Sequence, residues 1–407
     1  MRERAAALDA ADPLAGFRER FVFAGDDRIY LDGNSLGRLP VATRDRIAAL
    51  VAEWGERLVS AWPDWIDAPS RVGDRLAEGV LGARAGEVIV SDSTTVNLFK
   101  LAGALLRDRP EAIVTDAGNF PTDRYVLDGM GRELRQFDAD PVEGPSPQDV
   151  ARACADGDVA LVALSHVGYR SGAIAPIAAI EAAAGGVPVL WDLSHSAGVV
   201  PADLRASGAR FAVGCTYKHL NAGPGAPAFL YVRDDEQAAL RSPIQGWFGQ
   251  REQFEMERPY DPDPGIRRFL AGTPPILDLA AVEEGVKLTA QAGVAAIRTK
   301  STSLTQLIVD FADARLAPLG FSFGSPRAPE RRGAHVALRH PDAWPICRAL
   351  IERAGVVPDF RAPDVVRLGV APLYTTHAEV VEALERLAAL VAAGEHERID
   401  PRRARVT

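Results

Sequence analysis

The sequence predicts an α/β protein with a mostly parallel central sheet and helices on both faces of that sheet. Short apolar runs alternate with stretches of helical length, and several of the runs are apolar at nearly every position. Strands of this kind are typical of parallel sheets, because both faces of such a sheet are covered. The predicted strands are residues 88–91, 112–115, 159–164, 188–191, 211–215 and 228–232.

A helix is predicted over residues 93–106, directly after the first of these strands. Ser93 is a good N-cap, and Thr94 and Thr95 follow it. Free backbone N–H groups, the positive end of the helix dipole and two hydroxyls make this helix start a natural seat for a phosphate. The predicted apolar face of the helix consists of Val96, Phe99 and Leu106.

A further domain is predicted to begin near residue 290. Residues 293–316 have helical periodicity, and Thr376 and Glu379 later have the spacing of a capping box, with Gly394 as the helix stop. The predicted apolar faces are Ile297, Leu304, Ile308 and Phe311 in the first helix and Val380, Val381, Leu384, Leu387 and Val391 in the second. The predicted parts are an N-terminal segment that packs with the small domain (1–50), a large domain (51–288) and a small C-terminal domain (289–407).

The composition is that of an ordinary soluble globular protein, with 407 residues, 47% hydrophobic, 25% charged and a net charge of −9. The acidic balance argues against nucleic-acid binding. We expect no membrane span, because no apolar run is long enough for one. Cys154, Cys215 and Cys347 are scattered and odd in number, which argues against disulfides and a metal site and fits the cytoplasm. Cys215 is interpreted as a buried strand residue rather than a nucleophile.

Lys218 is the most informative residue, because the chain holds only three other lysines, Lys100, Lys287 and Lys300. Lys218 follows Asp192 by 26 residues, and an apolar run precedes each of them. Both charges are therefore expected at neighbouring strand ends, where ligands bind in such sheets. A lysine that forms a Schiff base and an acid that keeps a pyridine nitrogen protonated are what pyridoxal 5'-phosphate requires.

Nine segments between about residue 30 and residue 376 extend this pattern over nearly the whole chain. They are LDGNSLG (31–37), STTVNLFK (93–100), NFPTDRY (119–125), LSHVGYRSG (164–172), WDLSHSAG (191–198), TYK (216–218), GWFG (246–249), GTPPI (272–276) and RLGVAPLY (367–374). In this order and at these spacings, the chain closely resembles the kynureninase family. The resemblance implies a fold-type-I pyridoxal-phosphate enzyme that hydrolyses L-kynurenine to anthranilate and L-alanine, in tryptophan catabolism.

The resemblance also implies the catalytic residues. Lys218 matches the Schiff-base lysine, and Asp192 matches the acid that pairs with the pyridine nitrogen and keeps the ring a strong electron sink. Tyr217 matches a phosphate-binding residue and is placed to donate a proton to a carbanion.

Further matches concern the substrate. Arg367 matches the arginine that grips the α-carboxylate with a two-point fork, a geometry that lysine cannot copy. Ser35 and Trp62 match residues that line the substrate pocket, although Trp65 lies one helical turn from Trp62. On local pattern alone, a solvated arginine at position 367 remains open.

The remaining matches surround the cofactor. Phe120 matches the residue that stacks on its ring, His195 a histidine close to that ring, and Asp123 a second acid. Local pattern alone also allows a core phenylalanine, a structural histidine and a turn acid at these positions. The matches that chiefly concern the phosphate are Thr94, Thr95, Ser165, Tyr217, Trp247 and Thr273.

In the family, the loop that bears the matches to Trp247 and Thr273 reaches the cofactor of the other subunit, which implies a homodimer. Thr273 also matches the bacterial form, which favours kynurenine over 3-hydroxykynurenine. The chain departs from the family pattern at Gly168, His219 and Gln250, and none of these positions supplies a group that the chemistry needs.

Two alternatives have weaker support. A cysteine desulfurase or aminotransferase shares the fold type, but desulfurases place a histidine directly before the lysine and a reactive cysteine on a distal loop. Here Tyr217 precedes the lysine, and Cys347 is the one distal cysteine, outside any glycine-rich loop. A pyridoxal-phosphate-binding regulator without catalysis would have no use for Arg367 or Tyr217, and no DNA-binding segment is visible.

Overall fold

A computed structural model describes residues 1–25, 28–256, 259–400 and 402 of the chain. Thirteen strands occur in these described residues. In chain order they are β1 (Ile29–Tyr30), β2 (Val88–Val90), β3 (Ala112–Asp116), β4 (Leu134–Phe137), β5 (Val159–Ser165), β6 (Val189–Asp192), β7 (Phe211–Gly214), β8 (Phe229–Val232), β9 (Ser322–Phe323), β10 (His335–Arg339), β11 (Val356–Val357), β12 (Asp359–Arg361) and β13 (Val365–Gly369).

The central sheet has seven strands in the order β2-β8-β7-β6-β5-β3-β4. Strand β8 is antiparallel to both of its neighbours, and the other neighbouring pairs are parallel. The predicted mostly parallel sheet and its six predicted strands are therefore confirmed. The sequence did not predict β4, because this edge strand, with the sequence LRQF, is only partly buried and lacks a continuous apolar run.

Helices cover the central sheet and build most of the remaining structure. They are α1 (Arg2–Ala10), α2 (Val41–Arg57), α3 (Trp62–Trp65), α4 (Ala68–Leu76), α5 (Thr94–Leu105), α6 (Pro121–Asp128), α7 (Pro147–Ala153), α8 (Ile177–Ala183), α9 (Asp234–Gln237), α10 (Ile276–Ala292), α11 (Val294–Phe311), α12 (Ala343–Arg353) and α13 (His377–Ala392). One apolar cluster contains Val72, Trp191 and Val286, and another contains Leu101, Leu161 and Phe211, so each face of the sheet has its own core.

The helix predicted over residues 93–106 is α5, and the Ser93 side chain caps it by accepting a hydrogen bond from the Val96 backbone N–H. The predicted apolar face was wrong, because Phe99 is exposed. The helix packs on the sheet through the neighbouring stripe, a spacing that also fits helical periodicity. The buried residues of this stripe include Leu98, Leu101 and Leu105.

The C-terminal part has an antiparallel sheet in the order β12-β13-β10-β9. Its apolar cluster also takes in residues of the first 31 positions, such as Leu14 and Leu31, and β1 pairs with β11 in parallel. The boundaries at residues 50 and 288 stay predictions. The predicted helices are confirmed as α11, which buries Ile297 and Leu304, and as α13, which begins at a capping box. Among the described residues, no helix is long and apolar enough to cross a membrane.

Candidate active site

The carboxyl ends of β5, β6 and β7 meet at one edge of the central sheet. Ser165 at the end of β5 is in register with Asp192 at the end of β6, and Asp192 is in register with Val213 on β7. The chain then turns, and Lys218 follows four residues after β7. The topology therefore brings the predicted acid and the predicted lysine to the same edge, as expected for a ligand site in this fold class.

Lys218 differs from the three other lysines in its partners. Lys100 pairs with Asp92 at 2.7 Å, Lys300 pairs with Asp12 at 2.7 Å, and Lys287 pairs with two glutamates. Lys218 makes no ion pair with any described residue. Its Nζ lies 3.0 Å from His195 Nε2 and 5.9 Å from the centre of the Tyr217 ring. An amine without a carboxylate partner is free to act as a nucleophile.

The N-terminal segment that contains Ser35 packs directly on the backbone of this lysine. The Gly37 backbone N–H donates to the Tyr217 carbonyl at 2.8 Å. A Cβ at position 37 would lie 2.4 Å from the Lys218 carbonyl oxygen. Glycine is therefore required here by close approach, and Ser35 is held near the lysine.

Two buried carboxyl groups share the electrostatic surroundings of Lys218. Burial raises the pKa of Asp192, while the charge of Lys218 and hydrogen bonding by Ser194 act against this rise. Burial and the charge of Asp192 raise the pKa of Asp123 well above its usual range. Two buried carboxyl groups have only one amine nearby to balance their negative charge. A second positive charge, such as that of a pyridinium nitrogen, would therefore be favoured here. These residues thus fit pyridoxal phosphate.

Phe120 and Ser165 are held together by Asn119. The Asn119 side-chain oxygen accepts from the Ser165 hydroxyl at 2.7 Å and from the Phe120 backbone N–H at 2.8 Å. The half-buried Phe120 ring meets the Tyr169 ring edge-on, with 5.2 Å between centroids. The ring proposed to stack on the cofactor therefore stands on a turn that hydrogen bonds make rigid.

The start of α5 offers the predicted phosphate seat, with Thr94 half-buried and Thr95 exposed. The Asp92 residue just before the helix has a φ of 50°, a strained conformation. The fully buried Lys100 holds it there, because Lys100 Nζ donates to Asp92 Oδ2 and to the Phe269 carbonyl, both at 2.7 Å.

Replacing Lys100 with alanine is expected to lower the free energy of unfolding by about 2 to 3 kcal/mol, because the buried Phe269 carbonyl and the partly exposed Asp92 carboxylate both lose their partner. Urea unfolding monitored by circular dichroism would measure the difference. Lys287→Ala removes a half-exposed lysine and serves as the control, with little expected change. Equal stability of Lys100→Ala and wild type would contradict this account of the helix start.

Arg367 lies on β13 and is fully buried. Its Nη2 contacts Asp359 Oδ2 at 2.5 Å and the Ser35 hydroxyl at 2.9 Å, and its Nη1 donates to the Tyr169 carbonyl at 2.5 Å. Asn34 Oδ1 accepts from Nε at 3.0 Å, in the amide orientation that its neighbours favour. Burial lowers the pKa of Arg367 to about 10.

Two residues that the sequence assigns to the substrate, Arg367 and Ser35, therefore lie side by side and share a direct hydrogen bond. The other partners of Arg367, which are Asn34, Asp359 and Tyr169, were not predicted. Asp359 could have been found had β12 been predicted, because it is in register with Arg367 across the two strands. Tyr169 carries no such signal, since it contributes its backbone carbonyl.

Tyr217 is half-buried, and burial raises the pKa of its phenol, with smaller contributions from Cys215 and Asp192. The phenol is therefore protonated at neutral pH and can donate a proton. Cys215 is buried, and burial raises the pKa of its thiol, as does the charge of Asp192. This environment disfavours a thiolate.

Trp62, Trp247 and Thr273 lie together in a separate group. Trp62 and Trp247 both contact the Phe248 ring, with centroids 6.5 and 4.5 Å away. The Phe248 backbone N–H donates to the carbonyl of Ala271, two residues before Thr273. Among the described residues, none of the three side chains makes a hydrogen bond or ring contact with Lys218, Asp192 or Arg367.

Two family models match the amino-acid sequence of this chain. Residues 75–333 match aminotransferase class V, and residues 297–387 match the kynureninase C-terminal domain. The first match covers more than half of the chain. Together, the fold and the site define a pyridoxal-phosphate enzyme of the class-V aminotransferase type.

Relatives matched along nearly the whole chain identify the family within this class. Kynureninase from Pseudomonas fluorescens is 44% identical over 393 residues, which are 94% of this chain and 93% of the relative. Kynureninase from Burkholderia pseudomallei is 42% identical over 398 residues, which are 95% of this chain and 94% of the relative. The chain belongs to the kynureninase family.

Solved structures confirm the fold alone. A cysteine desulfurase from Thermococcus onnurineus superposes with a TM-score of 0.80 at 19% identity, over 93% of this chain and 98% of that chain. A C-DES variant with glycine covalently linked to its pyridoxal-phosphate cofactor gives 0.81 at 18% identity, over 91% and 98%. The predicted fold-type-I architecture is thereby confirmed.

Proposed function

We propose that the protein hydrolyses L-kynurenine to anthranilate and L-alanine with pyridoxal 5'-phosphate. The observation that carries the proposal is that Lys218, alone among the four lysines, has no carboxylate partner in the described part of the chain and lies at a strand end beside Asp192. Membership in the kynureninase family supports the choice of substrate. We place the reaction in tryptophan catabolism, on the route to NAD precursors, in the cytoplasm.

When bound, the cofactor supplies an electron sink for the carbanion that forms at the substrate α-carbon. Lys218 holds the cofactor and then accepts the α-proton. Asp192 would keep the ring nitrogen protonated, with Asp123 as the second acid, and Phe120 would stack on the ring. His195 lies against Lys218 Nζ and orients it. The groups that receive the phosphate are Thr94, Thr95, Ser165 and Tyr217.

Arg367 is proposed to bind the substrate α-carboxylate, which would replace the Tyr169 carbonyl and the Ser35 hydroxyl as acceptors. A carboxylate offers two oxygens to the two guanidinium nitrogens and so forms a stronger, charge-assisted contact than these neutral groups. Ser35 and Trp62 then line the substrate pocket. The buried Asp359 stays with Arg367 and fixes the plane of its guanidinium.

We further propose a homodimer in which Trp247 and Thr273 reach the cofactor of the other subunit. Trp247 is 39% exposed and Thr273 is exposed. Exposed apolar side chains of this size mark interaction sites, and others in the described residues strengthen the case. They include Trp54, Leu58 and Val59 near the end of α2, and Phe254 and Met256 after Trp247.

The direct test is release of fluorescent anthranilate when the purified protein, pyridoxal phosphate and L-kynurenine are combined. The rival desulfurase activity is tested in parallel as sulfide release from cysteine. Cys347 is fully buried in α12, and burial raises the pKa of its thiol well above its usual range, which disfavours the rival. Sulfide without anthranilate would replace the proposed function with the rival one.

Replacing Tyr217 with phenylalanine is expected to lower kcat about 100-fold, because the proton donor to the carbanion is lost. The yellow absorbance of the bound cofactor should remain, since Lys218 and Asp192 are intact. The same variant addresses the pyridoxal-phosphate-binding regulator, which would show no turnover before or after the change. Full turnover of the phenylalanine variant would exclude Tyr217 as the donor.

Thr273 is expected to favour kynurenine over 3-hydroxykynurenine. Changing it to asparagine should shift the ratio of kcat/KM for the two substrates towards 3-hydroxykynurenine by about tenfold, the scale of one added polar contact. Thr299→Asn, on an exposed face of α11, is the matched control. Faster turnover of 3-hydroxykynurenine by the wild type would contradict the predicted preference.

A further inference from the structure

Three buried histidines near the candidate site have ring nitrogens without partners in the described part of the chain. They are Nδ1 of His195, Nε2 of His219 and both nitrogens of His335. His335 is fully buried, and the other two are less than a tenth exposed. Leaving a buried polar atom unpaired destabilises the folded protein, so such atoms are rare and usually face a ligand or an ordered water molecule.

His335 lies between the two charged ends of the site. It is in register with Gly369 on β13, and Arg367 lies two residues earlier on the same face of that strand. The His335 ring is 5.6 Å from the His195 ring, and the other edge of His195 contacts Lys218. The two rings thus connect the strand pair that bears Arg367 with the Lys218 amine, the two groups proposed to bind the substrate.

The fold holds the His335 ring firmly in this place. Gly172 approaches it so closely that a Cβ there would lie 2.8 Å from the His335 carbonyl oxygen and 3.2 Å from its Nε2. The φ of Gly172 is +74°, which also favours glycine. A ring fixed in this way can orient a small polar molecule with little loss of entropy.

Both rings are neutral at physiological pH. Burial lowers the pKa of His195 and of His335 well below the usual range, and the charges of Lys218 and Arg367 lower both further. A neutral imidazole has one donor and one acceptor nitrogen. The His195–His335 pair can therefore donate a hydrogen bond to a water molecule and also accept one from it.

We propose that His195 and His335 hold the water molecule that the hydrolysis consumes, with His335 as the positioning residue. This inference rests on the proposed function. As the water oxygen bonds to the side-chain carbonyl carbon of the substrate, the π-electron pair of the carbonyl moves to the carbonyl oxygen. One water proton is passed on to that oxygen, so the product is a neutral gem-diol, both imidazoles end neutral, and the atoms and charges balance.

The test separates water addition from the earlier proton removal. Two rates are measured in deuterated water for each holoenzyme: anthranilate release from kynurenine, and exchange of the α-proton of L-alanine. His335→Phe keeps the ring shape but cannot bind the water, so anthranilate release should fall about 100-fold while exchange continues at close to the wild-type rate. His335→Asn should restore part of the hydrolysis, because its amide both donates and accepts.

The matched control is His340→Phe, the same change directly after β10, which should alter neither rate. Equal loss of both rates in His335→Phe, or no loss of hydrolysis, would overturn the proposal. Should His335→Phe fail to fold, crystals of the wild-type apoenzyme decide instead. A water molecule bonded to both His195 Nδ1 and His335 supports the proposal, and its absence there overturns it. Loss of the proposed function itself would appear separately, as wild-type exchange without anthranilate.

Discussion

Lys218→Ala is expected to lower kcat for anthranilate release by about four orders of magnitude, because the chain loses both the amine that holds the cofactor and the base that takes the α-proton. Each role alone is worth a large factor. Lys100, Lys287 and Lys300 are all held in ion pairs with carboxylates. None of them can substitute for the missing amine.

The matched control for this variant is Lys287→Ala. Lys287 lies on α10 and pairs with Glu283 and Glu284, so its loss should leave turnover unchanged. Thermal unfolding of the apoenzymes would show that both variants are folded. Substantial anthranilate release by Lys218→Ala would mean that another residue is the base and that the site lies elsewhere.

Arg367→Ala is expected to harm both stability and substrate binding. The free energy of unfolding should fall by about 2 to 3 kcal/mol, because the buried Asp359 would lose one of its arginine partners and keep Arg361. The milder variant Arg367→Lys keeps a positive charge near Asp359 and is expected to fold. Its amine offers the substrate carboxylate one point of contact, whereas the guanidinium offers two. Its KM for kynurenine should therefore rise about tenfold to 100-fold, with a smaller change in kcat.

Urea unfolding and steady-state kinetics measure the two effects separately. Arg107→Ala, which removes an exposed arginine next to Asp108, is the control for both measurements. A purely structural Arg367 would lower stability in the alanine variant and leave KM unchanged in the lysine variant. That combination would remove Arg367 from the proposed substrate site.

The architecture around the central sheet could be predicted because its strands are buried on both faces. Strands β5 to β8 are buried at nearly every position, and their continuous apolar sequence reports this directly. Strand β4 could not be predicted, because it lies at the edge of the sheet, is only partly buried and therefore needs few apolar residues. The buried face of α5 was misjudged because two neighbouring stripes fit the same periodicity, and only tertiary packing selects between them.

In the candidate site, too, some residues could be predicted from the sequence and others could not. The side chains that we propose for the reaction chemistry, such as Lys218 and Asp192, follow recognisable apolar runs, so their place at one edge of the sheet could be predicted from the sequence. The contacts that orient Arg367 come from Asn34, from Asp359 and from a backbone carbonyl, on segments far apart in sequence. Likewise, His335 meets His195 from a segment that lies 140 residues away in the sequence. No local sequence pattern predicts such a long-range contact.

We propose that Lys218, which follows β7 and has no carboxylate partner among the described residues, is the lysine that binds the cofactor. Borohydride reduction of the holoenzyme, followed by proteolysis and peptide mass spectrometry, locates the pyridoxyl group among four possible lysines. We predict that the group is on Lys218 and is absent from Lys100, Lys287 and Lys300. A pyridoxyl group on any of those three, or an unlabelled Lys218 peptide, would contradict the account.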